Sequence, residues 1–191
     1  MRAFKVFLII IAAVVVAGIV IVTTSVIQGK VETNQTQEAL DPFYTPPNPL
    51  VGNPGEIIRT EPIADYPITG ATANRILYIS KDPAGNLRAS GGMVFVPNTP
   101  SVGERKVVAY AHGTSGLGDS CAPSRSDQTP STQPFIQTLM DLGYVYTATD
   151  YVGLGTPGDP YYMVGQSEAT DVVNSVRAAR NFPGSKAGST Y

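Results

Sequence analysis

The sequence opens with 22 uncharged residues, Val6 to Ile27, directly after Arg2 and Lys5. At about 1.5 Å per residue this stretch forms roughly 33 Å of helix, enough to cross the hydrocarbon core of a membrane. Three interpretations are open: an uncleaved signal anchor, a cleaved signal peptide, or a buried core helix. Because positive charge stays on the inner side, the first two place everything after Ile27 outside the cytoplasm, either anchored in the membrane or secreted.

The rest of the chain divides by composition into a tether and a domain. Residues 28–60 are polar and rich in proline and show no sustained period of 2 or 3.6, which predicts a tether. Phe43 and Tyr44 add apolar bulk that a pure linker does not need, so we expect this part to dock partially onto the domain. Residues 61–191 have the size of one domain or of part of a larger one.

Charge and ligand counts exclude several classes of function. Thirteen Lys and Arg stand against 15 Asp and Glu, without a basic cluster, so no nucleic-acid-binding surface is predicted. One cysteine, Cys121, and one histidine, His112, cannot supply a four-ligand zinc or iron–sulfur site by themselves. We therefore predict neither a metal site nor a cofactor, and an unpaired Cys121 in an oxidising compartment.

Strand patterns begin with a hairpin. Arg75 to Ser80 and Leu87 to Pro97 are strand candidates separated by residues 82–86, which have turn chemistry. Gly91 and Gly92 inside the second strand indicate a bulge or a close backbone approach. Lys106 to Ala111 is the next strand.

Helices then alternate with strands. Ser131 or Thr132 is expected to cap a helix that Gly143 ends, and Tyr144 to Thr149 forms the following strand. A second helix is expected to end at Pro183 and Gly184. The predicted apolar sides of the two helices are Phe135, Ile136, Leu139, Met140 and Leu142, and Val172, Val173, Val176 and Ala179. This order, with the onset of a strand at Ser189 to Tyr191, predicts an α/β fold with a mostly parallel sheet and helices on both faces.

Two short motifs suggest chemistry that their context does not support. Gly153 to Gly158 matches the dinucleotide fingerprint Gly-x-Gly-x-x-Gly, but Pro157 and Pro160 prevent the helix that would meet a pyrophosphate, so we predict an irregular loop. The sequence around Ser167, Gly-Gln-Ser-Glu-Ala, partly matches a nucleophile elbow. Because no strand precedes it, we interpret Ser167 as the N-cap of the second helix.

His112 lies where the apolar run Val107 to Ala111 breaks into a glycine-containing loop. Such a run fits a central parallel strand that is covered on both faces. Ligands of open α/β sheets bind beyond the carboxyl ends of such strands, so this loop lies at the expected reactive edge. Three roles are open: His112 hydrogen-bonds the loop, the amides of Gly113 and Thr114 stabilise an oxyanion beside it, or His112 is a catalytic base. In the Ser, acid, His arrangement on this kind of fold the base comes last in the chain, whereas His112 precedes any possible nucleophile elbow. A role as catalytic base is therefore disfavoured.

Three short segments carry a family resemblance when they are taken together: Ala111 to Gly116 (AHGTSG), Asp119 to Ser124 (DSCAPS) and Asp150 to Gly155 (DYVGLG). Over about Asp41 to Tyr191 the chain resembles the N-terminal part of the secretory lipase family, the α/β-hydrolases similar to fungal lipase A. The resemblance implies hydrolysis of lipid esters by a Ser, Asp, His triad. It also implies an oxyanion hole that is built partly from the loop after the third strand.

Only that loop is carried over to this sequence, as Gly113 and Thr114 with His112 beside them. The family's nucleophile elbow, which would begin near Tyr191, its acid, its late histidine and the cysteine that would pair with Cys121 are not found in the sequence. We therefore expect the N-terminal section of an anchored or secreted lipase or carboxylester hydrolase for triacylglycerol-like substrates, inactive by itself, with the strand before His112 as an open sheet edge. The alternative is a non-catalytic, membrane-tethered extracytoplasmic module that binds lipid or protein.

Overall fold

The computed structural model describes residues 2–64, 66–126 and 132–191 and contains two compact units, Met1–Asp41 and Pro42–Tyr191. The first unit is a single helix, α1, which spans Arg2–Tyr44 and so ends just inside the second unit. By length and apolar composition α1 is able to span a membrane, with a mean hydropathy of 3.3 over its most apolar window. None of that window is buried within the first unit.

The expected tether differs from the structure at both ends. Its first part is helical, because α1 continues to Tyr44, and its last part contains a strand, β1 (Ile57–Pro62). The composition-based prediction missed this helix because the prolines that indicated a tether all lie at or after Pro42, near the end of α1. Phe43 and Tyr44 are buried there, as the predicted partial docking requires.

Arg59 of β1 holds the end of α1. Its Nη1 donates hydrogen bonds to the carbonyl oxygens of Pro42 at 3.1 Å, Phe43 at 2.9 Å and Thr45 at 2.5 Å. The last carbonyl groups of a helix have no partner within the helix, so a guanidinium group that bonds to them stabilises the helix end.

The second unit is built on a five-stranded sheet in the order β1-β2-β3-β5-β4. The remaining strands are β2 (Ala71–Lys81), β3 (Leu87–Pro97), β4 (Val107–Tyr110) and β5 (Val145–Thr149). The predicted hairpin is confirmed as the antiparallel pair β2 and β3. Only β4 and β5 pair in parallel among these strands, so the sheet is mixed rather than mostly parallel.

Strand β4 lies at the edge of the sheet, as the family resemblance had led us to expect. The apolar run alone had suggested a central strand, and that interpretation is wrong. Residues 186–190 run beside its start with an isolated bridge between Arg105 and Ala187, but the onset of a strand predicted at Ser189 to Tyr191 does not form one. The amide of Arg105 donates to the carbonyl oxygen of Lys186 at 2.7 Å, and the amide of Val107 donates to that of Thr190 at 3.1 Å. Half-burial of most of β4 follows from its edge position.

Helices cover both faces of the sheet, as predicted. Side chains alternate along β2, β3 and β5, so that one apolar cluster packs against α3 (Gly165–Asn181) and the other against α2 (Gln133–Asp141). The first cluster is Ile76, Tyr78, Val94, Val96, Val107, Val145, Val176, Ala178 and Ala179, and the second is Ala73, Met93, Phe95, Ile136, Leu139, Met140, Tyr146 and Ala148.

The predicted apolar sides and caps of the helices need correction. Phe135 of α2 is 48% exposed, and Leu142, which caps the C-terminal end of α2, is 61% exposed. Thr132 stands at the N-cap without a capping bond from its side chain, and Ser131 lies outside the described residues. Helix α3 begins before Ser167, with Val164 at its N-cap, so Ser167 lies inside the helix.

Helix α3 buries a polar rather than a fully apolar face. Val172 and Val173 are only half-buried, whereas Asp171, Asn174 and Ser175 are buried. The reason is that this face meets hydroxyl groups of β2: Ser80 Oγ donates to Asp171 and accepts a hydrogen bond from Asn174 Nδ2. Hydrophobic periodicity cannot reveal such a contact.

Gly91 and Gly92 mark a close backbone approach, not a bulge, since the register of β2 and β3 is regular through both. A Cβ atom at Gly91 would meet the Asp150 carboxylate and would lie 2.8 Å from the Tyr44 ring. The absence of a side chain there allows the end of α1 to pack on the sheet.

Candidate functional site

The loops after β4 and β5 meet beyond the carboxyl ends of these two parallel strands and border a cavity of about 240 Å³. This is the edge of the sheet at which the sequence predicted a reactive loop. The residues that line the cavity come from both loops and from α3: His112, Gly113, Thr114, Ser115, Gly116, Leu117, Tyr151, Val152, Leu154, Pro160, Tyr161, Tyr162, Met163, Ser167, Glu168 and Asp171.

The backbone of Gly113 and Thr114 is exposed at this cavity. Within residues 2–64, 66–126 and 132–191, no protein atom accepts a hydrogen bond from either amide. Amides that have no protein partner and face a cavity are free to donate to a ligand oxygen. The φ angle of Gly113 is not in the left-handed region, and a Cβ atom there would meet nothing within 4 Å, so the fold itself does not require this glycine.

Gly116 is the glycine that the loop geometry requires. Its φ of +125° is a backbone conformation that residues with a side chain rarely adopt. A Cβ atom there would also overlap the sulfur atom of Cys121. Cys121 is a half-buried free thiol in a short 3₁₀ helix, Asp119–Cys121. The side chain of Cys121 therefore packs directly against the backbone of the loop at Gly116.

The imidazole ring of His112 is held by its own loop. Nδ1 donates to the carbonyl oxygen of Gly113 at 2.6 Å, and Nε2 lies 3.4 Å from that of Asp150. The ring packs on Tyr151 at 4.7 Å between centroids. Tyr151 Oη in turn donates to the His112 carbonyl oxygen at 3.1 Å. Through these contacts the ring stabilises the conformation of the loop. A catalytic role of His112 stays a prediction.

A hydroxyl pair joins two segments of the cavity lining: Thr114 Oγ1 and Tyr162 Oη lie 2.9 Å apart and share a hydrogen bond. Thr114 belongs to the loop after β4, and Tyr162 belongs to the segment that leads into α3. The bond therefore ties the candidate oxyanion loop to the opposite wall.

The floor of the cavity includes a buried carboxyl group, Asp171. It accepts hydrogen bonds from Ser80 Oγ and, at 2.9 Å, from the amide of Val152. Burial raises the pKa of Asp171 to about 6, against the lowering effect of these two bonds, and the nearby Glu168 raises it further. Burial also raises the pKa of Tyr151 to about 12, and the negative charges of Glu168 and Asp171 add to this increase.

Ser167 lies one helical turn before Asp171 and lines the same cavity. It is 2% exposed, and its Oγ has no hydrogen-bond partner among the described residues. A buried hydroxyl without a partner costs free energy, on the order of 1–3 kcal/mol, so it needs an explanation.

A second buried carboxyl group, that of Asp150, connects the segment after β5 to the segment around Ser124. Asp150, directly after β5, accepts hydrogen bonds from the hydroxyl of Ser124 and, at 2.9 Å, from its amide. Ser124 Oγ also lies 2.7 Å from Tyr44 Oη, and Arg75 Nε donates to the Ser124 carbonyl oxygen at 2.8 Å. Burial raises the pKa of Asp150, and the bonds from Ser124 oppose this effect.

Both motifs that the sequence had set aside lie near this site. Gly153 to Gly158 forms turns and bends rather than a helix, as predicted. Ser167 does not lie on a strand-to-helix turn, which agrees with the argument against a nucleophile elbow, although its expected capping role is wrong. Within the described part of the chain, no group of three or more His, Cys, Asp or Glu residues is placed to hold a metal ion.

Sequence reasoning located the loop at residues 112–114 but missed the opposite wall, formed by Tyr151, Tyr162, Ser167 and Asp171. One signal was present: Ser167, Asp171 and Asn174 recur at helical spacing, which places them on one face of a helix. No pattern of this kind identifies Tyr162, because it lies in an irregular segment.

No family model matches the chain, and no curated protein matches its sequence. Solved structures do match. Candida antarctica lipase A in its closed state is 20% identical with a TM-score of 0.58, over 73% of this chain and 35% of that one. A rice cell wall degrading esterase, LipA from Xanthomonas oryzae, is 19% identical with a TM-score of 0.54, over 68% of this chain and 38% of that one.

The chain thus spans little more than a third of the length of these structures. At such identity the likeness concerns the fold, and it agrees with the hairpin, the parallel pair and the flanking helices described above. The second unit of this chain has an α/β-hydrolase-like fold, shared with the matched part of these structures.

Proposed function

We propose that this chain is the N-terminal section of a lipase or carboxylester hydrolase that acts on uncharged lipid esters. The observation that carries the proposal is the pair of unpartnered amides at Gly113 and Thr114, two residues that line a cavity beyond the carboxyl ends of β4 and β5. The lipase and esterase neighbours support it at the level of the fold.

In acyl transfer the carbonyl oxygen of an ester gains negative charge as the tetrahedral intermediate forms. Amides that already point at the position of this oxygen stabilise the charge without reorganisation, and one such donor contributes about 3 kcal/mol. The hydrogen bonds of His112 to its own loop and of Thr114 to Tyr162 hold the two amides in place. The nucleophile, acid and base of the reaction are not assigned to residues of this chain.

The N-terminal helix complements this role. As a signal or membrane anchor, α1 would place the second unit outside the cytoplasm, through the apolar stretch Val6 to Ile27. An esterase in that position would meet lipid esters at or near a membrane surface. Cys121 would then be in an oxidising environment, where a thiol can pair with another cysteine.

Nuclear magnetic resonance of the full chain in lipid nanodiscs tests the proposal, with ethyl butyrate as the probe. The amide resonances of Gly113 and Thr114 should shift on titration because a ligand carbonyl oxygen replaces water as their acceptor. Thr114→Pro removes one of the two amides and should weaken the response of the Gly113 amide. Ser115→Ala is the matched control, because it lies in the same loop and keeps both amides and the hydroxyl of Thr114.

Two results would count against the proposal. If ethyl butyrate shifts other cavity residues but neither amide, the cavity is a binding site of the non-catalytic kind and the oxyanion role is lost. If the chain hydrolyses p-nitrophenyl butyrate and a serine-directed reagent abolishes this turnover, the chain contains its own nucleophile and is more than an N-terminal section.

A further inference from the structure

We propose that Ser167 is a specificity-determining residue that hydrogen-bonds a free hydroxyl group of the substrate, so that the cavity selects uncharged, hydroxyl-bearing esters. This inference rests on the proposed function, because it assigns the substrate class of the same site. It concerns a residue outside the candidate oxyanion loop.

The first support is the hydroxyl group itself. Three buried side-chain atoms have no hydrogen-bond partner among the described residues: Tyr66 Oη, Arg105 Nε and Ser167 Oγ. Of these three residues, only Ser167 lines the cavity beyond β4 and β5. A buried polar atom that the fold does not satisfy needs another partner, and at the lining of a cavity a ligand group is able to supply it.

The second support is the chemistry around this hydroxyl. Glu168 and Asp171 line the same side of the cavity, and the lining contains no Lys or Arg. Glu168 Oε1 accepts a hydrogen bond from the Met163 amide at 3.1 Å, whereas Oε2 accepts none from the described residues. Oxygen acceptors without cationic partners favour ligand groups that donate hydrogen bonds and disfavour anionic ligands.

The third support is the position of Ser167 relative to the loop. His112, Gly113 and Thr114 lie on the β4 side of the cavity, and Ser167 lies on the α3 side. An ester whose carbonyl group meets the amides can therefore extend its alcohol portion toward α3. A hydroxyl group on that alcohol would both donate to Glu168 and bond to Ser167. The structure thus favours partial esters of polyols over fully alkylated esters.

Calorimetric titration of the full chain in lipid nanodiscs tests this with three small probes: glycerol monobutyrate, methyl butyrate and sodium butyrate. We expect glycerol monobutyrate to bind about three- to tenfold more tightly than methyl butyrate, the range of one or two net hydrogen bonds. Sodium butyrate should bind most weakly. Ser167→Ala should reduce the preference to less than about twofold, while Thr170→Val, a hydroxyl loss on the same helix outside the cavity lining, should leave it unchanged.

Thermal unfolding separates specificity from a structural role. Because Ser167 Oγ has no partner in the fold, Ser167→Ala should keep or raise the unfolding temperature, and a clear decrease would overturn the inference. Equal binding of both butyrate esters by the unaltered chain would also overturn it while leaving the proposed function intact. If sodium butyrate bound most tightly of the three probes, the inference that the cavity selects uncharged esters would be wrong. Binding of none of the probes would remove the proposed function together with the inference.

Discussion

Thr114 Oγ1 and Tyr162 Oη lie 2.9 Å apart and join the loop after β4 to the segment before α3 across the mouth of the cavity. Thr114 also carries one of the two amides that have no protein acceptor. The same residue therefore has a side chain that fixes the loop and a backbone group that is left for a ligand.

Removing this tie should loosen the loop. We expect Tyr162→Phe to lower the heteronuclear ¹⁵N–¹H NOE of the Gly113 and Thr114 amides, because the loss of a neutral hydrogen bond of about 1 kcal/mol leaves the loop more mobile. Nuclear magnetic resonance relaxation of the full chain in lipid nanodiscs measures this. Tyr161→Phe is the matched control, because Tyr161 lines the same cavity without a side-chain hydrogen bond among the described residues. Equal NOE values in both variants would show that the pair does not restrain the loop.

A methyl group at Gly91 should destabilise the second unit. Gly91→Ala would press against the Asp150 carboxylate and the Tyr44 ring, and overpacking of this kind costs about 1–3 kcal/mol. Chemical denaturation followed by near-UV circular dichroism of the tyrosines measures the free energy of unfolding. Gly103→Ala, where nothing lies within 4 Å, should change that free energy by less than about 0.5 kcal/mol.

Asp171 should make the stability of the second unit depend on pH. Its pKa is about 6 in the folded chain, against an ordinary value of 3.8, so the folded state binds the proton more tightly. The stabilisation is full below about pH 4 and is lost as the pH rises through 6, a decrease on the order of 3 kcal/mol in the free energy of unfolding. Asp171→Asn should reduce this slope.

The raised pKa of Asp150 acts in the same direction, so some pH dependence should remain in Asp171→Asn. Asp159→Asn removes an exposed carboxylate near the same cavity and should keep the full slope. Denaturation curves between about pH 4 and pH 7 measure the effect. An unchanged slope in Asp171→Asn would mean that its carboxyl group is not protonated in the folded chain.

Arg59 should control the C-terminal end of α1. Arg59→Ala removes the donor to three carbonyl groups. A hydrogen bond from a charged group contributes up to about 3 kcal/mol to the free energy of unfolding. We expect faster hydrogen exchange in the last turn of α1 and a lower unfolding temperature. Arg180→Ala, at an exposed position of α3, should alter neither quantity.

Local patterns determined much of this protein. The apolar stretch Val6 to Ile27 has the length and composition of a membrane helix, and the hairpin around residues 82–86 and the parallel pair of β4 and β5 follow from strand patterns and turn residues. The loop at His112 could be located because ligand sites of α/β sheets follow the carboxyl ends of strands.

Tertiary contacts decided the rest. The continuation of α1 to Tyr44 depends on Arg59 and on the space above Gly91, and the polar face of α3 depends on Ser80, which lies far away in the sequence. Helical and strand periods report whether a side chain meets water or apolar surface, but they carry no information about which distant polar group it meets. For that reason the sequence predicted one wall of the cavity, whereas the opposite wall at Tyr162 and Ser167 emerged only when the chain was folded.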